Sequence, residues 1–159
     1  MIRAAEVRDI PRLLAIYASA KQFMHEHGNP HQWNGAYPDW ETLQADIEHR
    51  QLFVMEEDQH IYGCFALIGG EEPTYASIDG AWLSDTPYGT IHRIASDGTR
   101  SGVFRHCVNY ARERYGHLRV DTHADNLPMQ RVVTENGFIY TGIIYLKDGS
   151  PRKAYEWIR

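Results

Sequence analysis

The chain has 159 residues, of which 43% are hydrophobic and 23% charged, with a formal net charge of -5 when its nine histidines are counted neutral. That length suits one core, so a single domain over residues 1–159 is expected. An acidic balance argues against a general nucleic-acid or membrane-surface binder, though it leaves room for a local basic groove around one phosphorylated ligand.

Cys64 and Cys107 lie in apolar stretches without metal-ligand spacing and read as buried thiols of a reducing compartment. The N-terminus MIRAAEVRDI has no apolar core after its charges, and no run approaches the roughly 18 apolar residues of a membrane span. A soluble, cytoplasmic protein is the expectation.

In chain order, Ile2 to Ala5 reads as a strand. Asp9 is placed to cap a first helix in which Ile10, Leu13, Leu14, Tyr17 and Ala18 recur at helical spacing, extended by Phe23 and Met24. From His25 to Asp39 the sequence HEHGNPHQWNGAYPD breaks regular structure. Trp33 and Tyr37 make this loop either a substrate wall or a packed cover for the core. His25, His27 and His31 lack a carboxylate or cysteine at ligand spacing, so no metal site is expected. Asp39 caps a second helix running to about His49. Leu52 to Met55 and Ile61 to Ile68 read as strands joined by the turn Glu56 to Gln59. Tyr75 to Leu83 mixes strand and loop signals.

Tyr88 to Ser96 has the pattern of a buried strand, and Val103 to Tyr115 carries apolar residues at helical spacing. Between them lies Asp97-Gly98-Thr99-Arg100-Ser101-Gly102. Two glycines, hydroxyls, one cation and the open amides of a helix start make this either an anion cradle or an ordinary strand-to-helix turn. Leu118 to Thr122 is a short strand. Asp125-Asn126 starts a helix that ends at Asn136-Gly137. Phe138 to Leu146 and Arg152 to Ile158 are strands about the turn Lys147 to Ser150, whose Asp-Gly pair is a hairpin signal. The order implies a mixed α/β domain of the α+β type with a helical crossover after the central strand.

Three stretches resemble the GNAT superfamily of acyl-CoA-dependent N-acetyltransferases: IHRIASDGTRSGVFRHCVNYA, VDTHADNLPMQRVVTENGF, and the opening helices with GNPHQW between them. The resemblance covers essentially the whole chain. It implies a mixed central sheet, flanked by helices and splayed between its fourth and fifth strands, here Tyr88 to Ser96 and Leu118 to Thr122. It further implies acetyl-CoA as cofactor. Its pantetheine arm would lie in the gap and pair with backbone groups of Ile94 and Ser96, beside Ala95. The pyrophosphate would sit on Gly98, Thr99, Arg100, Ser101, Gly102, Val103 and Phe104. Asn126, with Met129 in the same helix start, would contact pantetheine or serve as a plain helix cap. The chain departs from the pattern in two places. Arg100 stands where a second glycine is expected, offering a charge contact in place of bare backbone. Val133 occupies the position at which many members carry a tyrosine acid.

Acetyl transfer to an amine needs a neutral nucleophile, a polarised thioester carbonyl and a proton for the departing sulfur. An amide near Ile94 or Ala95 suits the second requirement. Histidine titrates near neutrality, and His92, two residues before Ile94, is the first candidate base or else a core histidine. His123 is the second candidate base, Tyr145 the stand-in acid, and Glu26 and Asp79 are candidates to relay a proton through water. The expected reaction is transfer from acetyl-CoA to a primary amine of a small molecule or peptide. The alternatives are an acyl-CoA-binding sensor without turnover and transfer of a longer acyl group. The apolar last strands, Phe138 to Ile158, offer an edge for a homodimer.

Overall fold

Ile10, Leu13, Ile16 and Tyr17 are all buried, so the first helix, α1 (Ile10–Glu26), lays one stripe against the sheet. Relative to the sequence expectation the stripe turns toward Ile16, and Ala18 and Phe23 face solvent. In the structure, a computed structural model that describes all residues 1–159, three further helices follow: α2 (Trp40–Glu48), α3 (Val103–Arg112) and α4 (Leu127–Glu135). The eight strands are β1 (Ile2–Ala4), β2 (Leu52–Glu57), β3 (His60–Gly69), β4 (Asp79–Gly80), β5 (Gly89–Ser96), β6 (His117–Thr122), β7 (Ile139–Tyr145) and β8 (Pro151–Ile158). They form one mixed sheet in the order β1-β2-β3-β5-β6-β8-β7-β4, the α+β architecture expected. By packing, the chain groups into two bodies, Met1–Leu67 with His92–Val103, and Ile68–Ile91 with Phe104–Arg159.

In the first body β1, β2 and β3 pair antiparallel, with Arg3 opposite Val54 and Val54 opposite Cys64. The turn between β2 and β3 is tighter than expected. Glu57 still pairs with His60, and Asp58 and Gln59 take φ of 52° and 64°, the two left-handed residues of a short hairpin. Asp39 caps α2 as expected, its Oδ1 accepting from the Thr42 amide at 2.9 Å. Asp9 does not cap α1. Its carboxylate instead takes a two-pronged contact from Arg3, at 2.9 and 3.0 Å, and the Glu6 amide at 2.8 Å. A guanidinium fork outcompetes the helix amides for that carboxylate.

In the second body β6 and β8 pair antiparallel along their length, β8 pairs with β7, and Gly80 of β4 pairs with Gly142 of β7. The segment before β5 is anchored on Glu156, which is fully buried. Its carboxylate accepts from the Leu83 amide at 2.6 Å, from Arg119 Nε at 3.1 Å and from the His117 ring. The Arg119 guanidinium is also sandwiched between Trp82 and Tyr88, 3.9 and 4.1 Å from the ring centroids. The helix stop at Gly137 is as expected, with φ 87° and the Phe138 amide bonded back to Val133 O. The expected dimer edge over Phe138 to Ile158 needs correction, because β8 lies inside the sheet, between β6 and β7. Both cysteines are buried, and burial pushes both thiols up, Cys64 to about 12. No helix is long and apolar enough to cross a membrane.

Candidate functional site

β5 organises the site because its two ends do different things. Its first residues pair in parallel with β6, Gly89 opposite Leu118 and Thr90 opposite Arg119, and that pairing goes no further. Its last residues lean on β3: Ala95 O lies 3.3 Å from where a Cβ on Gly63 would be, and the Asp97 amide donates to Tyr62 O at 3.0 Å. Alternation along an extended chain then turns the amides and carbonyls of Ile94 and Ser96 to the opposite edge.

Between these ends Arg93 has φ 51°. The other non-glycine residues with positive φ, Arg50, Asp58 and Gln59, lie in exposed turns. A left-handed arginine inside a strand costs about 1–3 kcal/mol and persists only where its surroundings impose it. Here they do. Tyr17 of α1 donates its hydroxyl to Arg93 O at 2.7 Å. Asp46 of α2 accepts from Arg93 Nη2 at 2.6 Å and from Nε at 3.1 Å, and Tyr37 Oη accepts from Nη1 at 3.1 Å. Burial and the adjacent Cys64 push the Tyr17 hydroxyl well above its usual range, so it stays protonated and donates. The kink also changes the argument for His92. Regular alternation does not carry across a left-handed residue, so the two-residue step from His92 to Ile94 fixes no common face.

Past β5 the chain turns through Gly98 and Gly102, with φ of 82° and 72°, into the N-terminus of α3. Gly98 has open space where a side chain would be, so a ligand can approach the backbone there. The first amides of α3, from Val103 and Phe104, have no partner within their own helix. Arg100 already has a partner within the chain. It is turned to Glu57, Nε to Oε2 at 2.9 Å, in an exposed ion pair of the kind that costs little to exchange. Asp97, which sequence reasoning treated as a turn residue only, puts a carboxylate into the cradle. Oδ1 takes the Thr99 amide and hydroxyl at 2.9 and 2.6 Å, and Oδ2 takes Arg12 at 2.7 Å and His60 at 2.8 Å. Burial pushes this carboxyl up, but the Thr99 bonds and His60 outweigh it and hold it below the usual range. Flanked by two basic side chains, Asp97 does not leave the turn anionic. The residues present therefore fit a diphosphate.

Also in the first body, the loop from His27 to Asp39 packs Trp33 edge-on to Tyr17, with ring centroids 5.5 Å apart. Beside Trp33 is a cavity of about 370 Å³ lined by Met24, His25, Asn29 and His31. Tyr37 is 40% exposed and reaches β5 through Arg93. In the second body, Phe104 is buried with its ring 6.1 Å from that of Phe138. Asn126 caps α4, its Oδ1 accepting from the Met129 amide at 3.2 Å. His123 Nδ1 accepts from the Asp125 amide at 3.0 Å. Tyr145 is half-exposed at the end of β7, opposite Pro151. Val133 is fully buried, and its aliphatic side chain offers no proton donor at that point of α4. The structure thus brings Trp33, Tyr37, His92, Ile94, Ala95, Ser96 and the turn to Val103 into the first body. Phe104, His123, Asn126, Met129 and Tyr145 belong to the second.

No family model matches the chain, and no curated protein matches it. Solved structures do. A GNAT-family acetyltransferase from Streptococcus agalactiae 2603 superposes with a TM-score of 0.89 at 29% identity, over 100% of this chain and 95% of its own. A ribosomal-protein-alanine N-acetyltransferase from Brucella melitensis gives 0.67 at 19% identity, over 100% of this chain and 99% of its own. An N-acetylglutamate synthase from Neisseria gonorrhoeae, complexed with coenzyme A and N-acetyl-glutamate, gives 0.61 at 18% identity. This chain covers 34% of that protein and is itself covered over 99%. Strand order, the curtailed β5 pairing and the turn into α3 define an acetyltransferase scaffold. The chain has the fold of the GNAT-family acetyltransferases.

Proposed function

We propose that the chain transfers the acetyl group of acetyl-CoA to a primary amine of a small molecule or peptide, by direct attack in a ternary complex. The observation that carries this is β5, which stops pairing with β6 after Thr90, yet runs on to Ser96 and delivers a glycine turn and a helix start. Ile94 and Ser96 would hold the pantetheine amides by strand-like pairing, and the amides from Gly98 to Phe104 would hold the diphosphate. Arg100 would exchange Glu57 for phosphate. Asn126 and Met129 would flank the arm. When bound, acetyl-CoA supplies an activated acyl group as a thioester.

The chain supplies the remainder. The amide of Ile94 or Ala95 polarises the carbonyl; His92, with His123 second, takes the proton of the attacking amine; and Tyr145 returns one to the sulfur. Trp33 and Tyr37 form the wall for the acceptor. Amines of both kinds are within the compass of the similar structures, one named for a protein alanine and one crystallised with an acetylated amino acid.

Acetyl-CoA at a hundred times its dissociation constant should add about 2.7 kcal/mol to the stability of the native state. For a chain of this length that raises the melting temperature by roughly 5–10 °C. No rise would remove the cofactor from the reading. An aliphatic Val133, where many family members carry a tyrosine acid, favours one second reading, an acyl-CoA-binding sensor without turnover. Raised melting without thiol release across a panel of primary amines would select it.

A further inference from the structure

The residue inside a strand with a left-handed backbone is also the residue on which the neighbouring elements converge. An arginine pairs with an aspartate equally well from a regular strand, so the Arg93–Asp46 ion pair does not by itself call for φ 51°. The Tyr17 hydroxyl does something an ion pair cannot, because it fixes a peptide plane. In a trans peptide the carbonyl of one residue and the amide of the next point in opposite directions. With Arg93 O held toward α1 by Tyr17 at 2.7 Å, the Ile94 amide is aimed away from α1. The guanidinium, tied to Asp46 and Tyr37, keeps the side chain from swinging and carrying that plane with it.

We propose that Arg93 and Tyr17 are positioning residues that together lock the peptide between Arg93 and Ile94, so that the Ile94 amide is the donor to the thioester carbonyl. The inference rests on acetyl-CoA being the cofactor. It assigns the polarising group to Ile94 rather than Ala95, and it makes Tyr37 the link through which the loop ahead of α2 senses the same peptide.

The test needs no acceptor amine. The carbonyl stretch of [1-13C]acetyl-CoA bound to the protein is recorded by difference infrared spectroscopy, and coenzyme A affinity is measured by calorimetry. Bound to the unaltered protein, the stretch lies below its position in free solution. Tyr17→Phe and Arg93→Ala lose most of that displacement, while coenzyme A affinity changes by less than about threefold. Arg93→Gly, which adopts a left-handed backbone without strain, keeps more of the displacement than Arg93→Ala. A plain loss of packing or charge predicts the reverse order. An undisplaced stretch in the unaltered protein, a full displacement in Tyr17→Phe and Arg93→Ala, or no difference between glycine and alanine overturns the proposal. Should either buried-site variant not fold, Tyr37→Phe removes one tie from a half-exposed position, and an unchanged stretch there overturns it equally. Absence of any acetyl-CoA binding to the unaltered protein overturns the cofactor reading itself.

Discussion

His92 and Arg93 are adjacent in β5, and the sequence treats them very differently. A histidine near a suspected reaction centre is legible because its proton affinity suits the task. Replacing His92 with alanine is expected to lower the maximal rate of acetyl transfer at least about tenfold with little change in coenzyme A affinity, and steady-state kinetics with calorimetry will check both. An unchanged rate removes it from the reaction. Nothing in the letters HRI announces that the arginine will be left-handed, because the ties that impose it come from Tyr17, Tyr37 and Asp46, which lie up to 76 residues away in sequence. Asp97 is half legible in the same sense. An aspartate before Gly98 signals a turn, but its partners Arg12 and His60 stand 85 and 37 residues away.

At the level of elements, local signals served where one residue decides the outcome. Asp39 and Asn126 cap their helices through their side chains, and Gly137 stops one because the lack of a side chain lets it turn left-handed. They failed where a stronger partner intervened, as Arg3 did for Asp9, or where an element is too short to have a period, as with β4. The glycines allow a direct test. At Gly142 a Cβ would stand 2.4 Å from Asp79 O, a backbone atom that cannot move aside without unpairing β4, and φ is 150°. At Gly98 there is open space, and only φ 82° opposes a side chain. Gly98→Ala should therefore cost about 1–2 kcal/mol of stability, the strain of a left-handed alanine. Gly142→Ala should cost more, and urea midpoints at constant slope will rank the two.

For the whole molecule, several carboxylates are held below their usual range, so acid should unfold it. Burial pushes Asp9 up, but the Arg3 fork and the Glu6 amide more than offset that. Asp97 behaves likewise through Thr99 and His60. A depressed folded-state value means that the unfolded chain binds more protons between the two values, so stability rises with pH there. The contribution is complete above the unfolded value, near pH 4, and disappears as pH falls through the folded one. Unfolding free energy from urea titrations should be level from about pH 7 to 5 and decline below about pH 4. A decline starting near pH 6 would point instead to the histidines.

The two buried cysteines bear on how the chemistry can be watched. A thiol at 0% exposure, with its ionisation pushed up by burial, is closed to aromatic disulfide reagents while the protein stays folded. The chain is then optically silent in a continuous thiol assay, and every equivalent of colour developed over acetyl-CoA and an amine counts coenzyme A released. The same silence makes the reagent a clock for opening, since colour without acetyl-CoA appears only as fast as the core exposes Cys64 or Cys107.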